Sequence, residues 1–231
     1  MADCVSRLNG HQGCSRTGSS TCQTGGGLPS ARIAGAVSIA DEFRAAVARV
    51  RDPQLAGPEL LPARLAIACT RVLPVAGAGI SLFTAPTMRI PVGASDDAAT
   101  TAERLQFTVA QGPCIDAHRT GQRVTATEPV IAQRWPIFHD RLITQTPVRG
   151  IVAVPLRDGL NGIGALDLYC HRSADVEAID PAATIAIAAQ ITTTLVGARL
   201  FPDLRNGPFW NGPRRPGPGV GFRRWNLRIR R

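Results

Sequence analysis

The chain has 231 residues, with 44% apolar residues and a formal net charge of +9. That length suits one sizeable core with tails, and no apolar run reaches the roughly 18 residues needed to cross a bilayer, which excludes a helical membrane protein. All the basic residues are Arg, and residues 201–231 hold eight of them against the single acid Asp203, so +7 of the charge belongs to that final segment. The basic character therefore describes a tail and not a nucleic-acid-binding domain.

Residues 1–37 are rich in Gly, Ser, Thr and Cys, include Gly25-Gly26-Gly27 and lack periodicity, so they read as disordered. No apolar stretch follows MADCVSRLNG in the manner of a secretory signal, and a cytoplasmic location is expected. None of the six Cys (Cys4, Cys14, Cys22, Cys69, Cys114, Cys170) sits in a CxxC pair, so free thiols are expected and a structural zinc site is not.

Order is predicted to begin at Ser38, which forms a capping pair with Asp41 ahead of helically spaced Phe43, Val47 and Val50. A second helix carries Leu61, Leu65, Cys69 and Val72 on one face, which makes Cys69 a packing residue. From Ala76 the pattern becomes a hairpin: Gly79 to Phe83, then Arg89 to Val92. The stretch Glu103–Gly121 reads as helical, broken at Gly112-Pro113. Arg123–Ala126 reads as a short strand, and Trp135–Thr144 as an amphipathic helix with Trp135, Phe138 and Leu142 on one face. Ile151–Leu156 and Ile163–Tyr169 form a second hairpin across the turn formers Asp158-Gly159-Leu160-Asn161-Gly162. A long helix, Pro181 to Phe201, is apolar around most of its circumference. Beyond it, Pro, Gly, Arg and aromatics interleave, so residues 202–231 read as a disordered tail.

Three segments resemble the GAF domains of actinobacterial regulators. They are Gln111-Gly112-Pro113-Cys114-Ile115-Asp116-Ala117 with Thr120-Gly121, then Val148-Arg149-Gly150 leading to Val154-Pro155-Leu156, then Ile163-Gly164-Ala165-Leu166; Trp135-Pro136 lies between them. The resemblance implies an α+β fold for residues 38–201: an antiparallel sheet of five to six strands, terminal helices on one face and a ligand-type cavity on the other. In that group a helical RNA-binding ANTAR module often follows, whereas here only the Arg/Pro/Gly tail follows. The resemblance thus implies the sensor half without its output half: a non-catalytic domain that binds a small molecule or a partner in signalling or transcription regulation.

Strand alternation places Leu166 and Leu168 on the helix-packed face, with Val152, Val154 and Leu156 beside them. Ala165, Asp167 and Tyr169, with Ile151 and Ala153, then face the cavity. Asp167 needs a donor, a water or a ligand once buried. Contact with a ligand and simple bonding to loop amides are both compatible with its position. Cys114 follows Gly112-Pro113 at a helix start, where amides lower a thiol pKa. Some GAF proteins reduce free methionine sulfoxide with a Cys in a comparable setting, though no second Cys lies between Cys114 and Cys170. A small buried packing residue is the plainer reading of Cys114. The candidate pocket is therefore Cys114, Ile151, Ala153, Asp167 and Tyr169, with no metal and no cofactor. His118 and His139 flank the irregular region and are able to meet, but two His make a weak metal case.

Two alternatives remain. Phe209, Trp210, Phe222 and Trp225 among Arg pairs suit stacking and phosphate contact, which gives a nucleic-acid-associated tail; a relic of a lost output domain has the same composition. A thiol enzyme built on Cys114 is the other. A homodimer through the terminal helices is expected, because Ile185, Ile187, Ala188 and Ile191 point in too many directions for one sheet face to cover.

Overall fold

The computed structural model describes residues 38–85, 88–159 and 161–198. The expected disordered segments 1–37 and 202–231, and with them the basic tail and any nucleic-acid contact through it, lie outside the described residues.

Helix α1 (Ile39–Ala48) starts where expected, with Ser38 Oγ accepting from the Asp41 amide at 3.2 Å. Helix α2 (Leu61–Val72) follows two single-turn 3-10 segments, Pro53–Leu55 and Pro58–Leu60. Strands β1 (Gly77–Ala85) and β2 (Met88–Ala94) pair antiparallel. Helix α3 (Asp97–Val109) begins six residues earlier than the sequence signal, because Asp96 caps it through the Ala99 amide at 2.9 Å. Its first turns are Ala and Thr, which carry little periodic signal. Helix α4 (Pro113–Thr120), strand β3 (Val124–Thr127), and helices α5 (Glu128–Arg134) and α6 (Pro136–Gln145) come next. Helix α5, opened by Pro129, is an addition to the expected elements. Strands β4 (Gly150–Asp158) and β5 (Asn161–Cys170) form the second hairpin, and a 3-10 segment, Ser173–Ala178, leads to α7 (Pro181–Ala198). Asp180 caps α7 by accepting from the Ala182 and Ala183 amides at 3.0 and 3.2 Å.

The five strands form one antiparallel sheet in the order β2-β1-β5-β4-β3. Its pleat separates two cores. Ile80, Leu82, Val152, Val154, Leu156, Leu166 and Leu168 pack under α1, α2 and α7 against Phe43, Leu65, Cys69, Ile187, Ile191 and Leu195. Ile151, Ala153, Ala165 and Tyr169 face α3 to α6, against Ala102, Cys114, Ile131, Phe138 and Leu142. Each fully buried Leu, Ile or Phe contributes about 1.5–3 kcal/mol, so a one-residue slip of register would cost both cores at once. The predicted parity of β4 and β5 holds at every named position.

The terminal helix is covered more fully than expected. Ile187, Ala188 and Ile191 are buried by the chain itself, and Ile185 alone of the four is exposed, at 59%. The reason is that α1, α2 and β4 all contact α7, so three neighbours share its circumference. Among the described residues, no helix is long and apolar enough to cross a membrane.

Candidate functional site

The α3 to α6 side of the sheet buries an unusual amount of charge. Glu103 and Gln106 sit one turn apart on α3 and both point at the sheet, at 2% and 0% exposure. Glu103 Oε2 accepts from Ser81 Oγ at 2.5 Å and from Arg89 Nη2, and Arg89 Nη1 donates to the Glu103 carbonyl at 2.7 Å. Tyr169 donates its hydroxyl to Glu103 Oε1 at 2.7 Å. Gln106 Nε2 donates to Asp167 Oδ2 at 2.8 Å, and Gln106 Oε1 accepts from the Cys114 amide at 3.1 Å. One connected network therefore runs from β1 and β2 through α3 to β5 and the start of α4. Two glycines make room for it: a Cβ on Gly79 would lie 2.2 Å from Glu103 Oε1, and one on Gly112, at φ +146°, 2.2 Å from Gln106 Oε1.

The network is not closed. Asp167 Oδ1 and Arg89 Nε are buried without a hydrogen-bond partner. Burial, reinforced by the Glu103 carboxylate, pushes Asp167 well above the usual carboxylate range, and Arg89 offsets only part of this. Glu103 takes three donors, including Arg89, and Asp167 is the member that holds a proton.

A cleft of about 800 Å³ opens beside this network. Phe83, Met88, Phe107, Ala110 and Ile115 supply apolar wall; His118, Arg119, Thr120, Arg157 and Asn161 supply polar wall; Arg89 and Gln106 join it to the network. The His118 ring stacks flat on Phe83, with centroids 3.7 Å apart and planes 4° apart. Burial lowers the His118 pKa, which favours the neutral imidazole, and its Nδ1 has no hydrogen-bond partner.

All five residues expected in the pocket, Cys114, Ile151, Ala153, Asp167 and Tyr169, lie on this side of the sheet. None of them lines the cleft. The expectation is corrected there: α3 and α4 close down on the middle of the sheet, so these side chains are filled core, at 1% exposure or less, and the cleft lies toward the strand ends. Asp167 is one side chain behind it, reached through Gln106 and Arg89. Cys114 is also corrected as a site of lowered thiol pKa. Its amide is taken by Gln106, and burial and then Asp167 push the thiol well above its ordinary value. Cys69 and Cys170 belong to the opposite core. The two His do not meet: His118 lies on Phe83, while His139 lies 3.7 Å from Glu128 and 3.3 Å from Asp140.

Arg89, Glu103, Gln106, Ser81 and His118 are the polar residues that the sequence reading did not assign to the site. The signal for α3 was present in the spacing Ala99, Ala102, Glu103, Gln106, which puts two polar side chains on the buried stripe.

No family model matches the chain, and no curated protein matches it. Solved structures do. A free methionine-R-sulfoxide reductase from Neisseria meningitidis, in complex with its substrate, aligns at TM-score 0.50 and 16% identity over 70% of this chain and 88% of that one. The GAF domain of an Acinetobacter phosphoenolpyruvate-protein phosphotransferase aligns at TM-score 0.47 and 13% identity over 70% and 94%. The structure of fRMsr of Staphylococcus aureus, also with substrate, aligns at 0.45 and 13% over 69% and 97%. At such identities the likeness concerns the fold alone: the chain is an α+β protein whose five-stranded antiparallel sheet, with helices on both faces, shares the fold of the Neisseria reductase. One expectation is overturned. A reductase stands among the structures this chain is similar to, so the reading of the domain as one that performs no chemistry of its own does not stand.

Proposed function

We propose that this chain is a regulatory domain of the GAF type whose cleft, at the strand ends between α3, α4 and the two hairpins, receives a small organic molecule. One observation carries the reading: a cleft of about 800 Å³ is walled by Phe83, Phe107 and the ring of His118 stacked on Phe83, with the side chains of Arg119 and Arg157 on its rim. The volume is of the size that ligand sites occupy. Behind the cleft, Arg89 is held by the side chain and carbonyl of Glu103, which Ser81 and Tyr169 also bond, and these bonds give the ligand a mechanical link to α3 and to the centre of the sheet. A signal would pass as a change in the packing of α3 and α4.

The test is a fragment screen by amide-resolved NMR on the full chain, with neutral, anionic and cationic aromatic fragments. Shifts concentrated at Phe83, Arg89, Gln106, Phe107 and His118 are expected. Binding confined to other surfaces, or no binding at millimolar fragment, would end the proposal.

A further inference from the structure

The cleft is chemically two-sided, and the sheet order explains why. Met88 stands on β2 and Arg157 on β4, with β1 and β5 between them, so Phe83 and Gly162 form the middle of the floor. Helix α3, which contacts β1 and β2, adds Phe107 on the Met88 side; α4, which contacts β3, β4 and β5, adds Arg119 on the Arg157 side. Met88 and Phe107 are 52% and 55% exposed, two of the four large apolar side chains left exposed among the described residues. That both rim the same cleft marks an apolar lip. On the other side the charge is positive. Arg119 shares Asp116 with Arg134, at 2.9 and 2.7 Å, so two guanidiniums divide one carboxylate. Among the described residues no Asp or Glu lines the cleft, while Arg119 and Arg157 do, beside Arg89, which is paired with Glu103 behind it. A recess lined by one sign of charge and walled by apolar groups concentrates ions of the opposite sign.

We propose that the cleft selects an amphiphilic organic anion. Its apolar, preferably flat, body lies against Met88, Phe107 and the Phe83–His118 stack, and its carboxylate, sulfonate or phosphate faces Arg119 and Arg157. This rests on the cleft being a ligand site, and it names the chemistry of the ligand. Arginine suits such a head group because its planar fork meets two anion oxygens together.

Three naphthalene probes of matched size test it on the full chain: 2-naphthalenesulfonate, 2-naphthalenemethanol and 2-naphthalenemethylamine. Inorganic sulfate serves as the head group alone. Affinities are read from the NMR shifts of cleft residues, which keeps anion binding by residues 201–231 out of the measurement. The sulfonate is expected to bind about tenfold tighter than the alcohol, and the amine weakest. Sulfate alone should shift the cleft only weakly. Arg119→Gln combined with Arg157→Gln should remove most of the sulfonate's advantage while leaving the alcohol's affinity unchanged. Phe107→Ser should weaken all three. Alcohol binding as tight as sulfonate binding, or sulfonate binding indifferent to the double Arg variant, overturns the anion assignment and leaves the cleft as a ligand site. Failure of all three probes to shift the cleft overturns the ligand site itself.

Discussion

Asp167 Oδ2 lies 3.7 Å from Arg89 Nη2, and both side chains are sealed from solvent, but Glu103 makes the closer contact with the same guanidinium. One cation thus faces two acids in a dry layer, and the acid with fewer donors keeps its proton. The unfolded chain releases that proton near 3.8, whereas the folded chain holds it to a higher pH. Between those values the folded state binds more protons, so its stability falls as pH rises, by up to about 1.4 kcal/mol per pH unit. Asp167→Asn removes this dependence. Thermal midpoints of the two proteins, taken from pH 4 to 8, should diverge in favour of the variant as pH rises. A gap that is constant or narrows would refute the assignment of the proton to Asp167.

Arg89→Met should have the opposite effect. It leaves Glu103 buried without its counter-charge, a loss of about 3–5 kcal/mol. Adding Glu103→Leu should return part of that loss, because the second change removes the stranded carboxylate. Denaturant titration of the three proteins measures it, and additive losses would show that the two residues are not energetically coupled.

Gly79→Ala probes how tightly the network is packed. The added methyl would meet Glu103 Oε1, Cδ and Cγ, all at 2.6 Å or less, so the carboxylate must leave its position between Ser81 and Tyr169. A cost of about 1–3 kcal/mol is expected, with amide shifts spreading to Arg89 and Tyr169. Wild-type stability in this variant would mean that the Glu103 site is loose.

How far the sequence could be read follows from these residues. Alternation along β4 and β5 placed Leu166 and Leu168 on one face and Asp167 and Tyr169 on the other, because pleat parity is a local property and the hairpin turn is short. The location of the cleft was not local. It depends on how far α3 and α4 close over the sheet, which no spacing encodes, and so Ile151 and Ala153 read as pocket wall when they are core. Arg89 read as an ordinary strand residue, since its burial follows from Glu103 on α3, fourteen residues away, in a helix whose opening turns carry little hydrophobic signal.

Cys114 should be chemically quiet in the folded protein. Its side chain is fully buried and the thiol is pushed well above its ordinary pKa, so the thiolate that reacts is scarce and shielded. Iodoacetamide at pH 8, followed by peptide mass spectrometry, should leave Cys114 unmodified until denaturant is added. Rapid labelling of the native protein would show that α4 opens readily.

The last prediction separates burial from association on α7. Ile187 is fully buried against the sheet-side core, and Ile185 is 59% exposed two residues earlier. Ile187→Arg places an unpaired charge in that core and should cost about 3 kcal/mol or more, enough to unfold a marginal domain. Ile185→Arg should leave the monomer fold intact, because its side chain meets solvent. A homodimer through the terminal helices, if the chain forms one, must therefore use the Ile185 face, where Ala182 and Ala189 are also exposed. Light scattering of wild type and Ile185→Arg at micromolar concentration decides it. A dimer that becomes a folded monomer on substitution supports that interface. A wild-type monomer, or a dimer indifferent to Ile185→Arg, removes α7 as the interface, in keeping with the way α1, α2 and β4 already cover most of this helix.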